Sequence, residues 1–306
     1  MAAKEQTPAP RHAGFIALLG APNAGKSTLL NALVGVRISA VTHKVQTTRR
    51  RIAGVLTDGD NQAVFVDTPG IFRPRRRLDE AMVAAAWSAA GDADMRLLLV
   101  PADRPVSDDT GRIIDGLVKY RAHGTALVIN KIDLVPRTRL LALIKELNDR
   151  AAFSTTYMIS ALKGDGLGDL RQAMLAALPR GPWFFPPDQI TDISERFLAA
   201  EICREKIFLR LHQELPYAMT VETETFCRQA KKKALRIEQV IYVSRQSHKG
   251  IVLGSKGQTI KAIGAEARLD MERAFDCRVH LFLFVKVREK WVDDPDRYRE
   301  MGLDFQ

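Results

Sequence analysis

The sequence predicts two domains, a doubly wound α/β domain with a mostly parallel sheet and then a smaller α+β domain. Through the first 180 residues, short apolar runs alternate with helical stretches, as in a parallel sheet that is covered by helices. Four prolines between positions 179 and 187 then end this pattern, because they preclude a continuing helix. Beyond them, longer strand-like runs surround a glycine-containing turn. A chain of 306 residues is long enough for both domains.

The composition is that of an ordinary globular protein, and it excludes several classes. Residues 1–12 contain no apolar core, so we expect a disordered lead-in and not a secretory signal. No apolar run approaches the ~20 residues that span a bilayer. Three distant cysteines suggest neither a disulfide framework nor a zinc site. A net charge of +10 permits nucleic acid or anionic lipid as a partner without choosing between them.

The domain boundaries follow from the proline-rich stretch. We expect the first domain to occupy residues 13–180, a linker to occupy 181–190, and the second domain with its C-terminal tail to occupy 191–306. The linker contains Trp183, Phe184 and Phe185, which we expect to pack against one or both domains.

The first strand and helix enclose a phosphate-binding motif. An apolar run at 15–19 precedes, and a helical stretch at 29–34 follows, the pattern Gly-x-x-x-x-Gly-Lys-Ser. Its glycines allow backbone N–H groups to surround phosphate oxygens, and the helix N-terminus adds partial positive charge. Lys26 offers a cation to the β- and γ-phosphates, and Ser27 offers a hydroxyl to Mg²⁺. The predicted nucleotide contacts here are Gly20, Ala21, Pro22, Asn23, Ala24, Gly25, Lys26, Ser27 and Thr28.

A second strand end predicts the site that senses the metal and the γ-phosphate. Short strands at 52–56 and 63–66 follow a long aperiodic loop, and the second of them leads into Asp67-Thr-Pro-Gly70. We predict that Asp67 holds Mg²⁺ through its water shell and that the Gly70 N–H contacts the γ-phosphate. Thr68 and Pro69 complete this predicted nucleotide-binding turn. The residues 73–77 that follow include four arginines, which form either a solvated face or an rRNA contact.

Later strand ends identify the base. Apolar runs at 95–100, 125–129 and 156–159 alternate with helical stretches at 78–90, 107–120, 136–150 and 167–178. The carboxyl ends of such strands form the ligand site of a doubly wound sheet. In Asn130-Lys131-Ile-Asp133, the Asp133 carboxylate can accept hydrogen bonds from the guanine N1–H and amine, which adenine lacks. Asn130 can donate to the ring, and Ser160, Ala161 and Leu162 are predicted to close the pocket with backbone N–H groups.

The second domain carries a candidate nucleic-acid clamp. A helix at 193–212, capped by Thr191 or Asp192, precedes strands at 218–226 and 235–243, and a third strand lies at 280–287. Between the last two strands, Gly254-Ser-Lys-Gly257 joins two short helices, which is the KH arrangement that grips about four nucleotides. The predicted RNA contacts are Lys249, Gly250, Ile251, Gly254, Ser255, Lys256, Gly257 and Lys261.

Positive charge is concentrated around this turn. From 228 to 261 the chain has nine basic residues and one acidic residue, Glu238. A basic patch on a nearly neutral domain favours a specific polyanion groove over general adhesion. The basic residues are Arg228, Lys231, Lys232, Lys233, Arg236, Arg245, Lys249, Lys256 and Lys261.

Taken together, these motifs resemble the bacterial Era family, a branch of the translation-factor-related GTPases that ends in a type II KH domain. Gln46-Thr-Thr-Arg49 resembles the family's switch I motif, and the resemblance covers about residues 13–303. It implies that Thr48, with Thr47 as the alternative, is a Mg²⁺ ligand beside Ser27 and Asp67. The predicted catalytic residues are then Lys26, Thr48 and Gly70. Further matching stretches are 214–217, 248–250, 263–268 and 291–294.

The resemblance has consequences for turnover and partners. Ile71 stands where Ras-like enzymes carry a water-orienting glutamine, so intrinsic hydrolysis is expected to be slow. Asn23 resembles an asparagine that helps bind K⁺ in potassium-stimulated relatives, although it is as readily a turn residue. The implied partners are GTP or GDP and 16S rRNA near its 3′ end, in small (30S) subunit assembly. We expect a cytoplasmic monomer, with peripheral attachment to the inner face of the cell membrane as an open possibility.

Two alternatives from other classes remain. In the first alternative, the chain is a membrane-surface signalling GTPase whose basic patch binds anionic lipid. In the second, it is an RNA-binding module with a vestigial nucleotide site. The GXXG turn argues against the first alternative. The intact Lys26, Ser27, Asp67 and Asp133 argue against the second.

Overall fold

The computed structural model describes most of the chain as two sheets with their helices. The predicted fold class is confirmed, since a mostly parallel α/β sheet is followed by an α+β domain. The described residues are 11–42, 44, 48, 51–74, 77–120, 122, 124–211, 219–229 and 233–289.

The first sheet has six strands in the order β2-β3-β1-β4-β5-β6. All neighbouring strands are parallel except β2 and β3, which form an antiparallel hairpin at one edge. Strand β1 lies between β3 and β4, so the strand order changes direction at β1. In such a sheet the ligand crevice opens at the carboxyl end of the strand where this change occurs. The strands are β1 (His12–Leu19), β2 (Ile52–Asp58), β3 (Asn61–Asp67), β4 (Met95–Pro101), β5 (Thr125–Asn130) and β6 (Thr156–Met158).

Helices cover both faces of this sheet, and a separate apolar core lies on each face. The β5 residues are all buried, which explains the apolar run at positions 126–129. Helix α3 shows how local sequence sets a helix start, because the Ser107 side chain accepts a hydrogen bond from the Thr110 N–H. The helices are α1 (Lys26–Val34), α2 (Arg77–Asp92), α3 (Asp108–Lys119), α4 (Arg137–Arg150) and α5 (Leu167–Ala176).

The second domain is a three-stranded sheet with helices on one face. Its strand order is β7-β8-β9, with β8 antiparallel to β7 and parallel to β9. The parallel pair requires a crossover connection, and two helices joined by the glycine-containing turn provide it. The elements are α6 (Glu195–Arg210), β7 (Met219–Gln229), β8 (Ala234–Val243), α7 (Gln246–Leu253), α8 (Gln258–Phe275) and β9 (Arg278–Val287).

The linker packs along the surface of the first domain. The Phe184 ring packs on Phe15, with ring centroids 4.5 Å apart, and the Trp183 indole N–H donates to the Asp60 carbonyl. The predicted cap of α6 is wrong, because Ser194 caps the helix by accepting from the Phe197 N–H. Thr191 and Asp192 instead bond to the backbone of Ala53 on the edge strand β2. Their side chains satisfy that edge strand, so they are unavailable for the cap.

Candidate functional site

A cavity of about 430 Å³ lies at the carboxyl ends of the strands, where the motifs predicted it. All five sequence motifs contribute to its wall. The predicted residues that line it are Pro22, Asn23, Gly25, Lys26, Ser27, Thr28, Thr48, Gly70, Asn130, Lys131, Asp133, Ser160, Ala161 and Leu162. A cavity of this size matches a nucleotide-sized ligand.

Lys26 is a buried cation on the floor of this cavity. Its side chain is 6% exposed, and its ammonium donates to the carbonyls of Gly20 at 3.1 Å and Ala21 at 3.4 Å. Burial lowers the pKa of Lys26 to about 8, although the Asp67 carboxylate opposes that shift. A buried cation with few compensating anions strongly attracts phosphate oxygens, because the low local dielectric strengthens the attraction.

The residue before Lys26 must be glycine for two reasons. Gly25 has a φ of 97°, which is left-handed backbone. A Cβ at this position would lie 2.2 Å from the side-chain nitrogen of Asn130. The first turn of α1 can therefore approach the loop that carries Asn130, and Gly25, Lys26 and Ser27 all line the cavity.

The three predicted metal ligands converge beside Lys26. The Asp67 Oδ2 atom accepts from Ser27 Oγ at 2.7 Å and from Thr48 Oγ1 at 3.3 Å, and the two hydroxyl oxygens are 3.0 Å apart. Burial raises the pKa of Asp67, and Lys26 and the hydroxyl donors Ser27, Ser39 and Thr48 oppose that shift. Its other oxygen, Oδ1, is buried without a partner among the described residues. Two hydroxyls and a buried carboxylate, one of whose oxygens is unsatisfied, fit Mg²⁺, which prefers oxygen ligands.

The turn after Asp67 packs directly on the phosphate-binding loop. A Cβ on Gly70 would lie 3.0 Å from the backbone nitrogen of Pro22, so this approach excludes larger residues. Ile71 is 4% exposed and belongs to the core beneath the sheet. Its side chain is therefore packed in the interior, where it cannot orient a water molecule in the cavity.

Asn130 joins three loops of the site. Its amide nitrogen donates to the Ala24 carbonyl at 2.9 Å, and its oxygen accepts from the N–H groups of Lys131 and Ala161. Of the backbone N–H groups predicted to close the pocket, the Ser160 N–H donates to the Asp165 carbonyl and the Ala161 N–H donates to the Asn130 side-chain oxygen. The loop is thus fixed by internal bonds, and Leu162, 78% exposed, forms the cavity rim.

Asp133 also lines the cavity and is exposed on the short 3₁₀ turn Ile132–Leu134. The neighbouring Lys131 pairs with Asp103 at 2.9 Å, has a left-handed φ of 63° and also lines the cavity. The cavity wall thus includes an exposed carboxylate, which can accept hydrogen bonds from a ligand.

Some predicted residues support the cavity without lining it. Gly20 and Ala21 accept from Lys26, Ala24 accepts from Asn130, and Thr68 donates to the Leu18 carbonyl at 2.8 Å. Pro69 is buried in the same turn. Three predicted switch residues, Gln46, Thr47 and Arg49, lie outside the described residues.

The structure also places residues in the site that the sequence motifs did not indicate. Ser39 Oγ donates to Asp67 Oδ2 at 2.9 Å, and Arg104 donates to the Pro22 carbonyl at 2.7 Å. Arg104 follows β4, so the strand-end argument applied to that strand would have found it. Ser39 lies in an aperiodic loop that carries no such signal. Leu209 lines the cavity although it belongs to α6 of the second domain.

The glycine-containing turn of the second domain forms an exposed clamp between α7 and α8. Gly254 has φ 71° and ψ 176°, and Lys256 has a left-handed φ of 49°. Ser255 and Lys256 are exposed at its tip. Gly250, Lys261 and Ile251, the last of them 54% exposed, lie on the adjoining helices, while Lys249 and Gly257 are half-buried. The geometry presents a cation and backbone groups to a phosphate chain.

The clamp lies beside an edge strand. Strand β9 is the outer strand of its sheet, and a Cβ on Gly264 of α8 would touch the Leu283 side chain at 3.3 Å. Helix α8 therefore packs closely against β9. Of the predicted basic patch, Lys231 and Lys232 lie outside the described residues.

Comparisons with known proteins match both halves of the chain. Residues 15–131 match the family described as 50S ribosome-binding GTPase, and residues 214–292 match the KH domain family. The GTPase Era of Mesorhizobium japonicum is 55% identical over 300 residues, which cover 98% of this chain and 96% of that protein. The GTPase Era of Rhizobium meliloti is 55% identical over 97% of this chain and 94% of its own. The chain belongs to the Era family of GTPases.

Solved structures of Era agree with this assignment. A variant of Aquifex aeolicus Era bound to GDP·AlF₄⁻ has a TM-score of 0.89 at 36% identity and covers 95% of this chain and 99% of its own. An Era complex with MgGDPNP and nucleotides 1506–1542 of 16S ribosomal RNA matches equally well, with the same coverage of both chains. This Era-family chain is therefore a GTP hydrolase with a KH-type RNA-binding domain, and a vestigial nucleotide site is excluded. Among the described residues, none of the helices is long and apolar enough to cross a membrane.

Changing Asp133 to Asn in this Era-family GTPase should relax its guanine preference. Two hydrogen bonds to a carboxylate are each worth ~1.5–3 kcal/mol, so we expect at least a ~10-fold loss of GTP affinity and a smaller GTP-over-ATP ratio. Titration with fluorescent GTP and ATP analogues measures both. Asp149→Asn, an exposed change on α4, is the control. Full GTP-over-ATP selectivity in Asp133→Asn would show that the base is bound elsewhere.

Proposed function

We propose that this chain is a GTP-driven switch that binds 16S rRNA near its 3′ end and acts in assembly or maturation of the small (30S) ribosomal subunit. The observation that carries the proposal is the union, in one chain, of a nucleotide cavity containing a Mg²⁺ ligand set and an exposed GXXG clamp. It is supported by the solved Era complex with MgGDPNP and a 16S rRNA fragment, to which this chain is 36% identical.

Each part of the cavity has a defined task in this proposal. Lys26 holds the β- and γ-phosphates, and Ser27, Thr48 and Asp67 hold Mg²⁺, which neutralises charge on the phosphates when it is bound. The Gly70 N–H contacts the γ-phosphate, so its turn responds to hydrolysis. Because Ile71 is buried in the core, another group orients the attacking water, and intrinsic turnover is slow.

The clamp supplies the second half of the switch. The exposed Ser255 and Lys256 and the glycines beside them grip the backbone of single-stranded rRNA. We propose that the GTP state frees the KH groove for RNA and that hydrolysis reverses this. The docked linker and α6 keep the two domains in contact, so that a change at one site can reach the other.

The small subunit is favoured over the large one. The description that names the 50S particle belongs to a family model that matches only residues 15–131, which exclude the clamp. The relative that contains both domains was solved with 16S rRNA. Because the KH domain determines which RNA is bound, the solved complex with 16S rRNA is more informative here than the family match to residues 15–131.

Crosslinking of the full-length protein to RNA in cells, followed by sequencing, tests the proposal. We expect reads concentrated at the 3′ end of 16S rRNA. Lys256→Asp should deplete them, since aspartate tolerates the left-handed backbone there and only the charge changes. Lys145→Asp, on the exposed face of α4, should not. Reads concentrated on 23S rRNA, or the same yield from Lys256→Asp, would contradict the proposal.

Two narrower parts of the proposal have direct tests. Asn23, which has a φ of 63°, lines the cavity, and its side chain can help bind K⁺ at the phosphates. Hydrolysis rates measured in KCl and in NaCl test this proposal, with Asn23→Ala for comparison. Peripheral attachment to the membrane rests on the basic patch, and co-sedimentation with anionic liposomes tests it.

A further inference from the structure

A balanced quartet of charges joins the two domains beside the nucleotide cavity. Arg37, at the start of the loop after α1, pairs with Glu205 of α6 and with Asp270 of α8, the second contact measuring 2.8 Å. Lys206 bridges the same two carboxylates at 3.5 Å and 2.5 Å. Glu205 is 4% exposed and Asp270 12% exposed, so water screens these pairs weakly.

The quartet also holds the backbone of the loop. Glu205 Oε2 accepts a hydrogen bond from the Val41 N–H at 2.9 Å, and Lys44 donates to the Leu211 carbonyl at the end of α6. We call residues 37–44 the switch segment. The part of it that the structure describes lines the cavity through Ala40, Val41, Thr42 and Lys44, beside Leu209 of the second domain.

The switch segment leads directly to the metal ligands. The Asn31 side chain accepts from the N–H groups of Ile38 and Ser39, at 2.9 Å and 3.0 Å, so this stretch has one position relative to α1. Ser39 Oγ then donates to Asp67 Oδ2. Residues 37–41 thus carry both the contacts to the quartet, at Arg37 and Val41, and a donor to the carboxylate that we assign to Mg²⁺.

The other end of the path is the RNA clamp. Helix α8 begins at Gln258, directly after the GXXG turn, and carries Asp270 twelve residues later. At 1.5 Å per residue, this is about 18 Å of continuous helix between the clamp and the quartet. A helix of this length moves as a rigid unit, so a shift of the clamp changes the position of Asp270 relative to Arg37.

We propose that Glu205 and Asp270 of the KH domain are positioning residues for the nucleotide site, which hold the switch segment through Arg37 and Val41 and couple it to the RNA clamp. The ionised and paired state of the Asp270 carboxylate favours this positioning role over a nonspecific attachment between the two domains. Although burial alone would raise the pKa of Asp270, Lys206 and Arg37 lower it, so the carboxylate stays ionised and paired. The coupling rests on the proposed RNA-binding switch, and it is reciprocal, because RNA must change GTP affinity by the factor by which GTP changes RNA affinity.

The test compares nucleotide affinities with and without a 16S 3′-end RNA oligonucleotide. In the full-length wild-type protein, we expect RNA to change the affinity ratio of GDPNP to GDP. Glu205→Ala should weaken GDPNP binding at least ~5-fold and GDP binding less than ~2-fold, because the switch segment positions groups for the γ-phosphate and its metal. The effect of RNA on that ratio should fall towards one. Glu205→Gln, which keeps an acceptor for the Val41 N–H, should be intermediate.

A matched control and a second variant separate coupling from loss of structure. Glu266→Ala removes the Arg210–Glu266 pair between the same two helices, away from the switch segment, and should behave as wild type. Arg37→Ala removes the first-domain end of the quartet from a position 36% exposed, and should reproduce Glu205→Ala. In a double-mutant cycle, the two effects should be far from additive.

The possible failures are distinguishable. If RNA does not bind the wild type, or changes no nucleotide affinity, the proposed RNA switch fails. If the wild type shows coupling and Arg37→Ala and Glu205→Ala keep both that coupling and the normal GDPNP-to-GDP ratio, the inference about the quartet is overturned. Effects confined to thermal stability would overturn it as well.

Discussion

Replacing Lys26 with alanine or methionine is expected to abolish nucleotide binding and GTP hydrolysis while RNA binding by the KH domain is retained. Lys26 is the buried cation that lies at the start of α1, beside the predicted metal ligands. Charge-assisted hydrogen bonds to phosphate are worth ~1.5–3 kcal/mol each, and Lys26 can make more than one. We therefore expect at least a ~10²-fold loss of GTP and GDP affinity, and a larger loss of kcat/KM.

The same variants should fold normally, which makes the result interpretable. Burial lowers the pKa of Lys26 to about 8, so burying the charge is itself unfavourable. Its removal relieves that cost, which offsets the lost attraction to Asp67. Methionine fills the same volume without charge, so Lys26→Met separates electrostatics from packing. The Tm of the nucleotide-free protein should change little in either variant.

Fluorescent-nucleotide titration, phosphate release and RNA gel shifts measure the three properties in one preparation. Lys145→Ala, an exposed change on α4, is the control for a lost positive charge. If Lys26→Met hydrolyses GTP at the wild-type rate, the cavity on the carboxyl edge of the first sheet is not the catalytic site.

Most of the nucleotide cavity could be predicted from the sequence because four of its five motifs follow a strand. The phosphate-binding loop follows β1, Asp67 ends β3, Asn130 ends β5 and the Ser160 loop follows β6. In a mostly parallel sheet these ends meet at one edge, so local motifs were sufficient to place residues more than 100 positions apart. The side chains of Ser27 and Asp67, both predicted to hold Mg²⁺, lie 2.7 Å apart for this reason.

The other contacts in and around the cavity have no periodic pattern or strand-end motif in the sequence. Ser39 reaches Asp67 from an irregular loop, and Leu209 reaches the cavity from another domain. Asn130 was predicted to donate to the base, and its motif gave no sign that its buried side chain, 2% exposed, also joins three loops. The Arg37 pairs span more than 160 residues in the sequence. A charged residue in a loop is usually solvated, and only the folded arrangement of the two domains gives this one partners.

Replacing Gly254 with aspartate is expected to eliminate most RNA binding and to leave basal GTP hydrolysis intact. A Cβ at this position would lie 2.1 Å from Thr259 Oγ1 and 2.9 Å from the Thr259 backbone nitrogen, so the turn must change shape. Its φ of 71° and ψ of 176° are rarely adopted by residues other than glycine. The new carboxylate would also repel phosphate groups. The deformed turn and the reversed charge together should cost ~10²-fold in affinity, or about 3 kcal/mol.

Three companion variants assign that loss to the clamp. Lys256→Asp alters charge without the steric conflict, so its smaller effect separates electrostatics from geometry. Gly168→Asp adds the same charge to the exposed first turn of α5, where a Cβ meets no atom within 4 Å, and should bind RNA normally. Gly254→Ala keeps the steric conflict but adds no charge, and should lie between Lys256→Asp and Gly254→Asp. The clamp turn is exposed and the second-domain core is elsewhere, so circular dichroism should show an intact fold. Normal RNA affinity in Gly254→Asp, measured by fluorescence anisotropy, would mean that the RNA lies on another surface of the KH domain.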